Sequence, residues 1–306
     1  PQGSILGPLL FLLYINDLNT VTKLLTLIMF ADDTNIFISG DNLDNLTSVV
    51  NIELSKISSW FSANLLSLNI KKTNYILFSN KKLPDISIII GSEKITRVFE
   101  TKFLGVLIQS NLKWNSHVNS VANKISKTVG ILYKVKNILS SAHLAILYHA
   151  LIEPYLHYCC IVWATHSEST LLETLLKLQK RCCRIICYAP PKAHSRPLLN
   201  KLRIFTIYDL CLIHILVFVY KSINLLFPHH FPNYFTRTRD IHPYETRGNK
   251  HNLYQINSRT SCRIKSVICS GPKHWNALPD SVRSAPTLKT FKTRVKQHIY
   301  GQNYIK

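Results

Sequence analysis

Two adjacent carboxylates, Asp32 and Asp33, sit inside an otherwise apolar stretch that runs from Leu24 to Ile38. Carboxylates held side by side in a desolvated place repel each other unless a cation lies between them. Hard divalent ions such as magnesium take oxygen ligands, and phosphoryl transfer uses them to stabilise the attacking and leaving oxygens. The flanking runs, Leu25 to Phe30 and Asn35 to Ile38, predict two strands with Ala31-Asp32-Asp33-Thr34 as the turn. The pair reads as a metal mount for nucleotide chemistry, or as an ordinary hairpin turn carrying Asp, which turns favour anyway.

The neighbouring blocks decide between these. Upstream stand Pro1-Gln2-Gly3-Ser4-Ile5-Leu6-Gly7-Pro8-Leu9-Leu10-Phe11 and Tyr14-Ile15-Asn16-Asp17-Leu18; downstream stand Leu68-Asn69-Ile70-Lys71-Lys72-Thr73 and Phe103-Leu104-Gly105-Val106. In this order and spacing, with Phe30-Ala31-Asp32-Asp33 between them, the blocks resemble the later sequence blocks of reverse transcriptases. Phe-Ala before the Asp pair, and Leu-Gly-Pro-Leu-Leu-Phe, look most like the non-long-terminal-repeat, LINE-type (jockey-like) retrotransposons. Four ordered blocks in about a hundred residues carry far more than one tetrapeptide.

The resemblance implies RNA-directed DNA polymerisation, with Mg2+ held by Asp32 and Asp33 and with template RNA, DNA primer and deoxynucleoside triphosphates as partners. It places Gln2, Gly3 and Ser4 beside the templating base and incoming nucleotide, where a bare glycine backbone lets substrate come close. Lys72 aligns with a lysine that protonates the leaving pyrophosphate. Both Lys71 and Lys72 are equally compatible with solvated lysines that touch phosphate. Phe103, Leu104 and Gly105 match the primer grip, read from the sequence as an apolar strand through Ile108.

The family's first catalytic aspartate precedes the Pro-Gln-Gly segment, where this sequence begins. The expectation is therefore a carboxy-terminal part of a larger polyprotein, inactive without its amino-terminal partner segment. The alternative is a catalytically dead nucleic-acid-binding remnant of a transposable element. The resemblance also implies an intracellular protein, in a cytoplasmic ribonucleoprotein, the nucleus, or both.

Elements must position these residues. Ser4 can cap a buried helix carrying Leu9, Leu10, Leu12, Leu13 and Leu18, with Pro8 in its first turn. Asp41 can cap a second helix whose Leu43, Leu46, Val50, Leu54, Ile57 and Phe61 follow three-or-four spacing. Residues 66–70 and 74–78 alternate as strands around the lysines. From 119 to 226 the pattern is helical. One stripe is Val118, Val121, Ile125, Val129 and Leu132; another is Leu144, Leu147, Leu151 and Tyr155; a third is Leu171, Leu175, Leu178, Cys182 and Ile185. Lys177, Lys180, Arg181 and Arg184 interleave with the third, and Pro190, Pro191 and Pro197 are expected to break it. That cationic face suits a nucleic-acid backbone, and a solvated bundle face equally well.

Charge is asymmetric. The net charge is +21, yet residues 1–70 sum to −4 and residues 71–306 to +25. An acidic metal centre followed by a basic clamp suits a polymerase, and 14 Tyr, 13 Phe and 4 Trp offer stacking surfaces for bases. The longest apolar run, Leu210 to Tyr220, has 11 residues, short of the ~20 needed to cross a bilayer, so no membrane partner is expected. Eight cysteines lack any Cys-x-x-Cys spacing, which argues for reduced, mostly buried thiols rather than zinc.

Residues 228–306 hold 14 basic and 3 acidic side chains. Arg237, Arg239, Arg247, Lys250, Arg259, Arg263 and Lys265 read as loop residues. Gly271-Pro272-Lys273-His274-Trp275-Asn276-Ala277-Leu278-Pro279 resembles the carboxy terminus of many animal LINE-type proteins. Thr287 can cap a last helix burying Leu288, Phe291, Val295 and Ile299. The expected fold is α+β: a partial palm over 1–118, an all-α thumb over 119–227 and a mixed basic extension over 228–306.

Overall fold

A computed structural model describes residues 3–79, 81–228, 231–241 and 251–304. Helix and strand are mixed, 56% and 10%, as the α+β expectation requires. The chain divides into two compact units, residues 1–101 and 102–306.

In the first unit, α1 (Leu6–Ile15) begins beside Ser4, whose Oγ accepts the Gly7 N–H at 3.1 Å. The helix is not buried, contrary to expectation. Leu6, Leu9, Leu10, Leu12 and Leu13 are 53–66% exposed, and Ile15 is its one buried residue. A helix apolar on every side needs cover on every side. Among the described residues α1 packs chiefly on the 3-10 turn Asn16–Thr20 that follows it.

The hairpin β1 (Thr26–Phe30) and β2 (Asp33–Phe37) pairs antiparallel from Thr26↔Phe37 to Phe30↔Asp33. Its alternation turns Leu27, Met29 and Ile36 inward, onto Leu18, Leu25, Ile57, Trp60 and Phe61. The last three lie on α2 (Leu43–Ala63), whose Val50, Leu54 and Ile57 are buried as the spacing predicts. Each such side chain contributes roughly 1.5–3 kcal/mol by leaving water. The cap is Asn42, not Asp41. Asn42 is the extended residue directly before the helix, and its side chain accepts from Asp44 N and Asn45 N at 2.9 and 3.1 Å.

α2 ends with Leu65 at φ 54° and Leu66 N–H donating to Phe61 O at 2.9 Å, a Schellman motif with leucine where glycine is usual. The strand expected over 66–70 is absent. Asn69 Oδ1 accepts the Lys72 N–H at 3.3 Å and closes a 3-10 turn at Ile70–Lys72, a local alternative to the ladder. Only β3 (Asn74–Tyr75) remains of the strand expected over 74–78, paired parallel with β6 (Thr96–Arg97). Between them β4 (Ile89–Ile90) and β5 (Glu93–Lys94) form a small hairpin over Gly91. Ile86, Ile88, Ile90 and Ile95 close a second core on Val50 and Leu54.

Strands β7 (Glu100–Phe103) and β8 (Val106–Gln109) pair as a hairpin spanning the boundary between units. Residues 103–108 are thus not one strand. Leu104 and Gly105 both have positive φ (43° and 84°), the requirement of a two-residue type I′ turn.

The second unit is helical: α3 (Asn115–Val135), α4 (Ser141–Leu151), α5 (Glu153–His157), α6 (Cys160–Trp163), α7 (Ser169–Ile186), α8 (Ser195–Leu202), α9 (Ile207–Ile223), α10 (Ser261–Lys265), α11 (Val267–Asn276), α12 (Asp280–Arg283) and α13 (Leu288–Tyr304). The α3 stripe is buried as expected, from Val118 to Leu132. The second stripe is shifted by one residue. Leu144, Tyr148, Ile152 and Leu156 are fully buried, while Leu151 and Tyr155 are 40% and 39% exposed. Spacing alone fits either set, and the packed face takes the set that includes Tyr148. α7 closes at Tyr188, which has φ 52° and gives another Schellman end (Ala189 N–H to Arg184 O, 2.9 Å), so it stops before Pro190. Pro197 opens α8, in a first turn where its missing N–H costs little.

Gln179 is fully buried and knits this core. Its Nε2 donates to Tyr148 Oη at 2.9 Å and Phe205 O at 3.1 Å, and its Oε1 accepts Ile207 N–H at 2.9 Å. α9 lies in two clusters at once. Ile207, Leu210, Cys211 and Ile215 face the α3–α7 core; Ile213, Leu216, Val219 and Tyr220 face Trp275, Phe291, Val295 and Ile299. The tail is therefore more ordered than expected. Arg263 and Lys265 lie in α10 rather than loops, and Arg247 and Lys250 fall outside the described residues. The last helix is as expected, with Thr287 Oγ1 accepting the Thr290 N–H at 3.2 Å. No single helix among the described residues is long and apolar enough to cross a membrane.

Candidate active site and nucleic-acid surfaces

Ala31 and Asp32 form the two-residue loop of the β1–β2 hairpin, and Asp33 is the first residue of β2. Ala31 has φ 52°, a left-handed value that favours glycine, while Asp32 does not take a positive φ. An L-residue there costs roughly 1–2 kcal/mol. Both carboxylates are exposed, and among the described residues neither has an ion pair. They are oxygen donors with nothing to neutralise them, which fits a hard divalent cation completed by water and substrate oxygens. Asp17 is not a third member: its Oδ2 accepts Trp60 Nε1–H at 3.4 Å.

Gly3 has φ 91° and open space where a Cβ would stand, so its backbone is approachable. Ser4 is exposed and spends its Oγ on Gly7; Gln2 falls outside the described residues. Lys72 is exposed at the end of its 3-10 turn. No hydrogen bond or ion pair links it to Asp32 or Asp33 among the described residues.

In the second unit, Phe103 precedes the Leu104–Gly105 turn. Tyr158 Oη donates to Leu104 O at 2.5 Å, and its ring lies 3.4 Å from where a Gly105 Cβ would be. Lys177 and Arg181 are exposed on α7, and Lys180 is half-buried. Arg184 is already engaged: its Nε donates to Ala193 O at 2.9 Å, pinning the loop after the helix.

Residues 1–108 match the family model described as "Reverse transcriptase (RNA-dependent DNA polymerase)". Asp32, Asp33, Lys72 and the Leu104–Gly105 turn lie inside that match, and the basic residues of α7 lie outside it. Over its first 108 residues the chain is similar to reverse transcriptases. It is 24% identical over 216 residues to the probable RNA-directed DNA polymerase from transposon X-element of Drosophila melanogaster, covering 68% of this chain and 24% of that protein. It is 25% identical over 219 residues to the RNA-directed DNA polymerase from mobile element jockey of Drosophila funebris, with the same coverage. Similarity to the retrovirus-related Pol polyprotein from type-1 retrotransposable element R1 2 of Nasonia vitripennis is 25% over 179 residues, covering 53% of this chain and 42% of that protein. The chain spans about a quarter of the length of the first two relatives. No solved structure matches it. Reverse transcriptases generally use a divalent metal.

Sequence reading missed a cluster of histidines around one carboxylate in the second unit. His149 Nδ1 lies 2.6 Å from Glu153 Oε2, His157 Nε2 lies 3.5 Å from Glu153 Oε1, and His157 Nδ1 lies 2.7 Å from His214 Nε2. Burial raises the Glu153 carboxyl, but the hydrogen bonds from His157 and His149 outweigh it and bring it down to about 2. Burial, followed by the charges of His157, Lys292 and Lys296, lowers His214 to about 4. The spacing of His149, Glu153 and His157 at i, i+4 and i+8 was the available signal; His214, 57 residues on, gave none. Among the cysteines, Cys160, Cys182, Cys183 and Cys211 are buried, and burial pushes the Cys182 thiol up to about 12. Among the described residues no group of three or more His, Cys, Asp or Glu side chains is placed to hold a metal ion.

Proposed function

We propose that this chain supplies the Asp-Asp half of a polymerase palm and a helical clamp, in a LINE-type enzyme that copies RNA into DNA. The observation that supports this most directly is the pair of unneutralised carboxylates at a hairpin tip, inside a reverse transcriptase match. Asp32 and Asp33 would hold Mg2+, which when bound lowers the cost of charge building on the attacking primer oxygen and the leaving oxygen. The strained Ala31 turn presents both carboxylates outward. The open backbone at Gly3 admits the nucleotide. The Lys72 ammonium, free of any partner among the described residues, gives a proton to the leaving pyrophosphate. The Leu104–Gly105 turn steadies the primer, and Lys177, Lys180 and Arg181 sit on template–primer phosphates. The uncovered leucines of α1 take the complementary segment of the same polyprotein, whose apolar surface would remove them from water. The working enzyme is an intracellular ribonucleoprotein.

Asp32→Asn keeps shape and removes a charge that must hold the cation. In primer-extension assays on the longer polypeptide it should abolish synthesis while primer–template affinity stays within about 2-fold. If it damages binding as much as loss of the α7 basic residues does, the Asp pair is structural and the chain is a nucleic-acid-binding remnant.

A further inference from the structure

The tip of the β7–β8 hairpin is held from outside. A lone two-stranded ribbon is marginal in water, and no third strand pairs with this one among the described residues. Its two turn residues are fixed instead by Tyr158, which hydrogen-bonds the Leu104 carbonyl and packs its ring on Gly105. A side chain at position 105 would meet that ring at 3.4 Å, and its φ of 84° already selects glycine. Tyr158 itself is half-exposed and borders an open cavity shared with His157 and His214. The half-exposed ring is held at the turn by its hydroxyl bond to Leu104 O and by its packing on Gly105, with the Cys159 side chain also in hydrogen-bond reach of the hydroxyl. The residue before it is His157, tied by the 2.7 Å contact to His214 on α9. The turn is thereby referred to the most buried helix of the unit.

We propose that Tyr158 is a positioning residue for the primer terminus: it fixes the Leu104–Gly105 turn so that the turn's backbone meets the last nucleotides of the primer strand. This rests on the reading of that turn as the primer-contacting loop. A merely structural hydroxyl would change stability alike for every ligand. A positioning hydroxyl changes the preference for a primed over an unprimed template.

The test compares fluorescent template RNA alone with the same RNA annealed to a DNA primer leaving a recessed 3′ end, both bound to residues 1–306. Wild type should prefer the primed form. Tyr158→Phe, which keeps the ring, should cut that preference about 3- to 10-fold, the range for one hydrogen bond, and leave the salt slope unchanged. Hydrogen exchange at Gly105 and Val106 should quicken in the variant. If wild type discriminates and Tyr158→Phe discriminates equally, the positioning role is overturned. Unchanged exchange at the turn overturns the anchor itself. A wild type with no preference overturns the primer-contact reading and the proposal with it.

Discussion

Replacing the cationic face of α7 tests whether the basic half of the molecule meets phosphate. Each phosphate neutralised by a side chain steepens the dependence of log affinity on log salt by about 0.9 on duplex DNA. Four residues, Lys177, Lys180, Arg181 and Arg184, lie at i, i+3, i+4 and i+7 on α7. The Arg184 Nε–H is committed to Ala193 O, so three contacts are expected rather than four. The quadruple Ala variant should therefore lose about 2.7 from the slope. Between 50 and 200 mM salt that slope is worth about 40-fold in affinity, so the variant should look nearly normal at high salt and weak at low salt. Fluorescence anisotropy of a labelled primer–template duplex at five or six salt concentrations reads this directly. Arg184→Ala alone should change the slope by less than half a unit and instead loosen residues 187–193. A quadruple variant with the wild-type slope refutes phosphate contact at α7.

Acid should weaken the second unit early. His214 is depressed to about 4, so the unfolded chain binds the extra proton first, and stability present above pH 6.5 is lost as pH falls toward 4; Glu153, at about 2, adds a further loss below pH 4.5. Thermal melts from pH 7 to 4 should show the decline, and His214→Gln should flatten its upper part; a flat wild-type profile between pH 6.5 and 4 counts against the histidine pair. Gln179→Leu removes the side-chain partner of Tyr148 Oη and Ile207 N–H in the core, at roughly 1–3 kcal/mol each before relaxation, so a denaturation midpoint unchanged from wild type would show that the network contributes nothing. Leu65 is 95% exposed at φ 54°, so Leu65→Gly should stabilise by about 0.5–1 kcal/mol, once relief of left-handed strain is set against the freer unfolded chain; a lower melting temperature would contradict this.

Where burial follows one helix face, the sequence was legible. The stripes on α2, α3 and α13 give their own period, that on α7 holds at Leu175, Cys182 and Ile185 while Leu172 and Gln179 are buried in place of Leu171 and Leu178, and the Asp hairpin announces itself by apolar runs either side of a two-residue loop. Legibility failed where a partner decides. Nothing in Leu6 to Leu13 says that the helix is uncovered among the described residues, because an apolar helix looks the same covered or bare. Leu144 to Tyr155 contains two overlapping stripes, and only the shape of the opposing core chooses between them. Residues 66–70 alternate like a strand, yet one Asn69 side chain outcompetes the ladder. At the site, the residue types flagged Asp32 and Asp33, and Lys72 came only from the resemblance of its block. Tyr158 carried no signal, since its contact lies 54 residues away in sequence.

The place of α9 has a bearing on how such a chain can change over generations. One helix is the floor of two rooms: its Leu210 side closes the α3–α7 core and its Val219 side closes the core beneath Trp275. At Gly271 the two helices touch so closely that a single added methyl would strike Val219 at 2.8 Å. The carboxy-terminal stretch is thus no detachable module. A stop codon anywhere before α13 would strip Phe291, Val295 and Ile299 from the floor and leave Ile213, Leu216 and Tyr220 facing water. Aggregation, rather than a trimmed but working protein, is the fate of such a truncation. Loss of the last few dozen residues would therefore undo the packing of the second unit, even with Asp32 and Asp33 intact.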